Sequence, residues 1–175
     1  MDTIKDLSRE LLAEMLADFA RNWLAHDGLW FLEIEKRQGM ETAIECDRDA
    51  WRQFSQIEAK RILKRHSIPQ NSGLEGLKKA LGLRMYAFLN EQEIYEEDEK
   101  GFSFRMKACR VQSARHRKGL PDFPCKEVGI VEYEEFARTI DERIRTKCLC
   151  CPPDDHPADY FCAWRFELDQ FSRFK

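Results

Sequence analysis

Cysteine is the most chemically reactive residue type in this 175-residue chain. Six of its seven cysteines fall in the segment from Phe102 to Leu168: they are Cys109, Cys125, Cys148, Cys150, Cys151 and Cys162. A thiolate can act as a nucleophile or as a soft metal ligand. The crowding of cysteines therefore predicts a thiol-centred site in this segment, without naming its ligand or its reaction.

Three interpretations of these cysteines stay open at the level of sequence. In the first, zinc or an iron–sulfur cluster is held by thiolates from a candidate set: Cys109, Cys125, Cys148, Cys151 and Cys162. In the second, Cys109 and Cys125 are catalytic or substrate-binding thiols. In the third, the cysteines are small apolar residues that pack on strands. The odd count argues against structural disulfides in a chain that we expect to be cytoplasmic.

Basic residues surround Cys109 and continue to Lys118. Their charge, together with a helix predicted to begin at Cys125, would favour the thiolate forms of both cysteines. Arg110 and Arg115 are candidate substrate-binding residues, because a guanidinium can bind a carboxylate through two parallel hydrogen bonds. Nucleic-acid binding is the alternative for this basic run, but a net charge of −3 predicts no general attraction to nucleic acid.

A second candidate catalytic site lies in the N-terminal half. Glu58 shares a predicted helix face with Trp51, and a carboxylate among aromatic rings needs a partner. We expect Glu58 to be buried beside an imidazole or a guanidinium, with His26 and Arg61 as candidates. A Glu58–His26 pair could carry acid–base chemistry, and Trp30, one helical turn after His26, is a candidate substrate-binding residue. The alternative is a purely structural ion pair.

The elements that must position these residues change in character near Asn90. Before that point, apolar residues recur with a period of about 3.6, which is typical of amphipathic helices. The pattern predicts helices over three ranges: 9–25, 48–65 and 73–89. Ser8 is the predicted N-cap of the first helix, Gly28 a kink or a break in it, and Gly39 the end of the apolar segment that follows Gly28.

After Asn90 the pattern alternates every second residue, which predicts strands. These strands should lie within 91–108 and 143–168 and form one small antiparallel sheet, with Cys148 or Cys150 opposite Cys162. Helices are predicted at two places between the strands: 111–118 and 126–137. The fold class is therefore α+β. We expect a helical part, 1–90, and a Cys-rich α+β part, 91–175, that together form one compact domain.

Targeting signals are absent from the sequence pattern. The first residues mix acids with apolar residues and lack a small-residue cleavage site, so they do not predict a signal peptide. No run of ~18 apolar residues exists, so the sequence predicts no membrane span and no membrane partner. A cytoplasmic location is the expectation that follows.

Four long motifs carry a resemblance to known proteins. They are NWLAHDGLWF (Asn22–Phe31), FSQIEAKRI (Phe54–Ile62), CRVQSARHRKGLPDFPCK (Cys109–Lys126) and CPPDDHPADYFCAWRF (Cys151–Phe166). They resemble an uncharacterised family of small cytosolic proteins from anaerobes, over nearly the whole chain. The C-terminal half is also distantly similar to L-2-amino-thiazoline-4-carboxylic acid hydrolases and to vinyl-reductase-type small-molecule-binding domains. This second resemblance implies a helical part joined to an α+β sandwich, with Cys109, Cys125 and Cys162 at the site.

Three functions follow as hypotheses, and whether the protein is an enzyme stays open. The first is a hydrolase or binder of a small carboxylate-bearing heterocycle, in which arginines hold the carboxylate and a thiolate or a Glu58–His26 pair does the chemistry. The alternative is a non-enzymatic zinc or iron–sulfur module, or a redox sensor, built on the C-terminal cysteines. The third hypothesis is a simple interaction protein. The predicted partner is a small molecule.

Overall fold

Helices dominate the first half of the chain, and strands appear only in the second half. The structure is a computed structural model that describes residues 4–169. Its helices are α1 (Arg9–Gln38), α2 (Met40–His66), α3 (Gly73–Leu81), α4 (Arg110–Arg117) and α5 (Lys126–Ile140). Its strands are β1 (Glu91–Glu97), β2 (Gly101–Ala108), β3 (Ile144–Cys150) and β4 (Cys162–Leu168). The predicted α+β class is confirmed.

The first two helices are longer than their apolar patterns predict. Ser8 caps α1 as expected, because its side chain accepts a hydrogen bond from the Leu11 backbone N–H at 3.1 Å. The predicted break at Gly28 is wrong, since α1 continues to Gln38; a mid-helix glycine costs only ~1 kcal/mol and does not by itself end a helix. The predicted start of the next helix at Arg48 is also wrong. Gly39 has a φ of 88° and reverses the chain in one residue, so α2 begins at Met40.

The predicted helix over 73–89 ends early, at Leu81. The chain then turns so that the Arg84 side chain enters the core, where it is 2% exposed, and a short 3-10 turn follows over Met85–Phe88. The Arg84 side chain binds a carboxylate of α2, as described below, and this buried ion pair takes precedence over helical propensity.

The sheet has four antiparallel strands in the order β1-β2-β4-β3, which confirms the predicted antiparallel sheet. The β1–β2 hairpin closes where Asp98 accepts hydrogen bonds from the backbone N–H groups of Lys100 and Gly101. The predicted cysteine pairing is wrong, because Cys148 lies opposite Trp164 and Cys150 opposite Ala163. A register shift between Cys148 and Cys150 displaces the ladder.

Helix α5 lies between α2 and the sheet. One face of the sheet presents aromatic rings to it: Phe102, Phe104, Trp164 and Phe166. Close approach requires a small residue on α5, since a Cβ at Gly129 would lie 2.8 Å from the Trp164 ring. This packing brings α1, α2 and α5 over the same edge of the sheet at which Cys109 and Cys162 emerge. Among residues 4–169, α1 and α2 are long enough to cross a bilayer, but neither has the apolar composition to do so.

Candidate functional site

A cavity of about 460 Å³ opens between α1, α2, α4, α5 and the start of β4. This volume lies within the ~300–1,000 Å³ that small-molecule sites occupy. Its inner wall is mostly aromatic: Phe31, Trp51, Tyr86, Phe123, Tyr133 and Trp164. The rings pack on one another: Trp51 and Tyr86 are stacked with their centroids 5.6 Å apart, and Tyr133 and Trp164 are tilted with their centroids 4.6 Å apart. The wall is therefore preformed and apolar.

Four of the predicted site cysteines line this cavity: Cys109, Cys125, Cys151 and Cys162. The Sγ atoms of Cys125 and Cys151 are 3.5 Å apart, and the Trp164 indole N–H donates to Cys162 Sγ at 3.4 Å. The sequence placed Cys109 at a strand end and Cys125 at a helix start, and the structure has Cys109 just after β2 and Cys125 just before α5. These four cysteines therefore meet at one cavity, although Cys148 and Cys150 do not line it and neither lies opposite Cys162.

The other candidate cysteines lie outside the cavity. Cys148 is close enough to hydrogen-bond with Cys151, and that bond lowers the pKa of the Cys148 thiol. Cys150 contacts Tyr160 instead. Cys46, the cysteine outside that segment, is exposed on α2.

The structure does not support the predicted zinc or iron–sulfur site. In the part of the chain that it describes, no three His, Cys, Asp or Glu side chains are arranged to hold a metal ion. The sulfur atoms contact one another and nearby N–H groups: Cys151 is within hydrogen-bonding reach of Cys125, Cys148 and Cys162, and Gln112 Nε2 lies 3.6 Å from Cys125 Sγ. Burial raises the pKa of the Cys109 thiol to about 12, and hydrogen bonding with Cys125, Cys148 and Cys162 raises that of Cys151.

Gln112 fixes the loop that connects α4 to α5. It is 1% exposed, its Nε2 donates to the Phe123 carbonyl at 2.9 Å, and its Oε1 accepts from the Phe123 N–H at 2.8 Å. The paired bonds place the Phe123 ring in the cavity wall against Phe31. The sequence did not single out Gln112, because a glutamine in a basic helix normally faces solvent.

A buried charge cluster stands behind the aromatic wall. Arg84 Nε donates to Glu58 Oε2 at 2.8 Å, and Arg84 Nη2 lies 2.7 Å from Glu132 Oε1. Burial disfavours the guanidinium charge, but Glu58 and Glu132 outweigh it and raise the pKa of Arg84. The prediction that Glu58 is buried beside a guanidinium is confirmed. The partner is Arg84, which lies in neither of the two positions that the sequence suggested.

The structure does not bring His26 and Trp30 into this site. Asp27 and Gly28 face the cavity, whereas His26 lies on the outer side of α1 along a separate shallow groove. Trp30 is 63% exposed on that groove and meets only the edge of the His26 ring, at 6.5 Å. Within residues 4–169, no hydrogen bond or ion pair joins His26 to Glu58. The predicted acid–base pair is therefore wrong, because the face of α1 that borders the cavity carries Asp27 and leaves His26 exposed.

Acidic groups that the sequence did not single out line the cavity: Asp27, Asp47 and Glu132. Burial, followed by the charges of Asp27 and Glu132, raises the pKa of Asp47 to about 7, while an interaction with the Trp51 indole opposes the rise. Burial also raises the pKa values of Asp27 and Glu132. Asp47 lies just before the helix that the sequence predicts over 48–65, whereas α2 begins at Met40 and passes through this position.

The basic residues lie at the mouth of the cavity, on and after α4. The predicted Arg110 and Arg115 both line it, together with Arg117 and Lys118. Arg115 is 7% exposed and is already bound, since its Nε donates to the Pro121 carbonyl at 2.9 Å and its Nη1 lies 3.3 Å from Glu35. Arg110 is exposed, and its side chain has no ion pair within the described residues. The mouth is thus basic and the interior acidic.

Comparison with known proteins establishes a family and a fold. A model described as a family of unknown function, DUF6125, matches residues 5–168. No curated protein matches the chain. Among solved structures, the chain is similar to the phenol-responsive sensory domain of the transcription activator PoxR, crystallised with phenol. The TM-score is 0.56 at 16% identity, over 85% of this chain and 75% of that one. At this identity the likeness establishes a shared fold only.

Proposed function

We propose a function for this chain, which belongs to DUF6125, a family of unknown function. The protein binds one small carboxylate-bearing aromatic or heterocyclic molecule. The observation that carries the proposal is the preformed cavity of about 460 Å³ with its aromatic wall. The phenol-responsive sensory domain with the same fold supports a role in binding rather than in one particular reaction.

The basic mouth supports a carboxylate on the ligand. Arg110 is exposed at the first position of α4, where it lines the cavity. Its guanidinium can form two parallel hydrogen bonds with a carboxylate, while Arg117 and Lys118 add positive potential. The aromatic part of the ligand would then lie against Trp51 and Trp164, which removes apolar surface from water.

Binding is better supported than thiol catalysis. Cys109 and Cys151 carry raised pKa values and are therefore protonated near neutral pH, which makes them weak nucleophiles. Cys125 lines the same cavity and stays the candidate nucleophile of the hydrolase alternative. All seven cysteines are free thiols, which supports the proposal that the protein works in a reducing compartment such as the cytoplasm.

A cavity-filling substitution tests the proposal. Gly28 lines the cavity, and a Cβ at this position would meet no atom within 4 Å. Gly28→Leu should therefore fill open space without a clash and gain ~1 kcal/mol of helix propensity. We expect 4-methylbenzoate to bind the wild-type protein, measured by titration calorimetry, and to bind Gly28→Leu at least about tenfold more weakly.

Ala13→Leu is the matched control, because it adds a leucine to the exposed surface of the same helix, away from the cavity. This variant should bind 4-methylbenzoate like the wild type. Equal binding by wild type and Gly28→Leu would place the probe elsewhere and contradict the proposal. Equal binding of 4-methylbenzyl alcohol and 4-methylbenzoate would contradict its carboxylate part.

A further inference from the structure

Three carboxyl groups reach the cavity from three different helices. Asp27 comes from α1, Asp47 from α2 and Glu132 from α5. Asp27 and Glu132 both act on Asp47 electrostatically, so the groups lie close enough to repel one another when ionised. Carboxylates in an apolar cavity are costly unless a positive charge or a proton accompanies them.

The protein does not supply enough positive charge for these groups. Arg84 is a single cation that faces both Glu58 and Glu132. Glu132 is 7% exposed; its Oε1 lies near Arg84 without the alignment of a hydrogen bond. Its Oε2 accepts no hydrogen bond within the described residues, nor does either oxygen of Asp27. Glu132 thus presents to the cavity a buried carboxylate whose oxygens accept no hydrogen bond from the described residues, and the cavity can admit a ligand.

The charged and titratable groups around Asp27 and Asp47 come from every neighbouring element. They are Arg21 and His26 on α1, Arg84 and Tyr86 before β1, Cys109 and Arg110 at the start of α4, and Glu132 and Tyr133 on α5. Of the guanidinium groups, Arg84 is bound to Glu58 and Glu132, and Arg21 is bound to Asp18 at 2.8 Å. Arg110 lies at the mouth. The inner end of the cavity therefore has excess negative charge or holds protons.

We propose that the ligand carries a protonated amine that binds among Asp27, Asp47 and Glu132. The inference rests on the proposed function and adds a second charged group to the ligand: a cationic nitrogen at the acidic end and a carboxylate at the basic mouth. An ammonium group has three N–H donors, which match carboxylate oxygens that lack donors from the protein. The aromatic wall lies between the two ends.

Binding of such a ligand must be linked to protons. Near neutral pH the empty site holds a proton on the carboxyl cluster, and an ammonium group favours the ionised form. Binding therefore releases protons, and affinity rises from pH 6 to pH 8 while the amine stays charged. A ligand of the same shape with an uncharged hydroxyl in place of the amine gains nothing from ionised carboxylates, so its affinity should not rise over this range.

The experiment compares two benzoates of similar shape, one with a protonated amine and one with an uncharged hydroxyl in the same position. Titration calorimetry should show that 4-(aminomethyl)benzoate binds about tenfold or more tightly than 4-(hydroxymethyl)benzoate at pH 8, with a smaller ratio at pH 6. Repetition in buffers of different ionisation enthalpy should reveal proton release for the amine alone. Asp27→Asn and Asp47→Asn should each reduce the preference for the amine, whereas Asp49→Asn, on the exposed side of α2, should leave it unchanged.

The outcomes separate the two proposals. If 4-methylbenzoate and 4-(hydroxymethyl)benzoate bind but the amine binds no better, the amine site is refuted and the proposed binding function stands. A preference for the amine that persists in both Asp27→Asn and Asp47→Asn would also overturn the site. If 4-(aminomethyl)benzoate binds and neither analogue without the amine does, the amine site is supported, and the carboxylate and the aromatic ring are not sufficient for binding. Failure of every probe to bind overturns both proposals.

Discussion

Asp47 shows how burial changes what a single residue contributes. In a peptide its carboxyl group would be ionised at neutral pH, but burial and the nearby Asp27 and Glu132 raise its pKa to about 7. The folded protein therefore holds a proton that the unfolded chain releases between pH ~4 and pH 7. Within that range, the free energy of unfolding falls as pH rises. Above pH 7 the carboxylate is ionised in both states, so the full cost of the buried charge remains and no longer changes with pH.

Asp47→Asn should consequently stabilise the protein, and more so in alkaline than in acidic solution. We expect an increase of ~1–3 kcal/mol in the free energy of unfolding at pH 8 and a smaller increase at pH 5, reduced from the full linkage value because water partly solvates the group. Urea denaturation at the two pH values measures it. The control is Asp49→Asn, an exposed change that should have little effect at either pH. A pH-independent gain would rule out the titration of Asp47 as its cause.

At the scale of elements, the contact between α5 and β4 sets the depth of the cavity. Gly129 on α5 lies against Trp164 on β4, and both residues line the cavity floor. Any residue larger than glycine at position 129 would push α5 away from β4. The Gln112–Phe123 hydrogen bonds then hold the loop before α5 over the same space.

Gly129→Ala should destabilise the protein although alanine favours helices. Its Cβ would lie 2.8 Å from Trp164 Cζ2 and 3.0 Å from Cη2, and the buried indole has little room to move. We expect a loss of ~1–3 kcal/mol by overpacking, seen as a lower midpoint of urea denaturation. Gly82→Ala is the matched control, since the nearest atom to its Cβ would be the Lys79 carbonyl oxygen at 3.7 Å. Equal stability of both variants would show that the helix and strand separate freely.

At the scale of the whole molecule, Arg84 links the helical half to the rest of the chain. It binds Glu58 of α2 and Glu132 of α5, and its guanidinium lies 4.6 Å from the centre of the Phe136 ring. The cluster therefore joins residues that are far apart in sequence. It also forms the back of the cavity wall through Tyr86 and Tyr133.

Removal of the guanidinium should destabilise the whole fold. Arg84→Met keeps most of the side-chain volume but leaves two buried carboxylates without a cation, which costs ~3–5 kcal/mol in comparable buried pairs. Thermal denaturation should show a lower Tm, and a further Glu132→Gln change should recover part of the loss. Arg138→Met removes an exposed arginine from α5 and should change Tm little. A small effect of Arg84→Met would mean that the carboxyl groups are neutral in the folded protein.

The sequence by itself determined the fold class, the change from helix to strand near Asn90, and the antiparallel sheet. These features follow from local periodicity, because each helix or strand must bury its own apolar face. The basic run with Arg110 and Arg115, the positions of Cys109 and Cys125 at element ends, and the burial of Glu58 were predictable for the same reason. Exact boundaries were not, since a single residue such as Gly39 can replace a loop.

Only the tertiary structure decided which side chains meet. Asp27, Asp47 and Glu132 lie far apart in sequence, and nothing in their local patterns shows that α1, α2 and α5 bring them to one cavity. The partner of Glu58 depends on where the chain turns after Leu81, and the neighbours of Cys162 depend on a register shift in β3. Charge pairing and sulfur contacts are properties of packing between elements, and the free energy of that packing does not appear in the periodicity of any one segment.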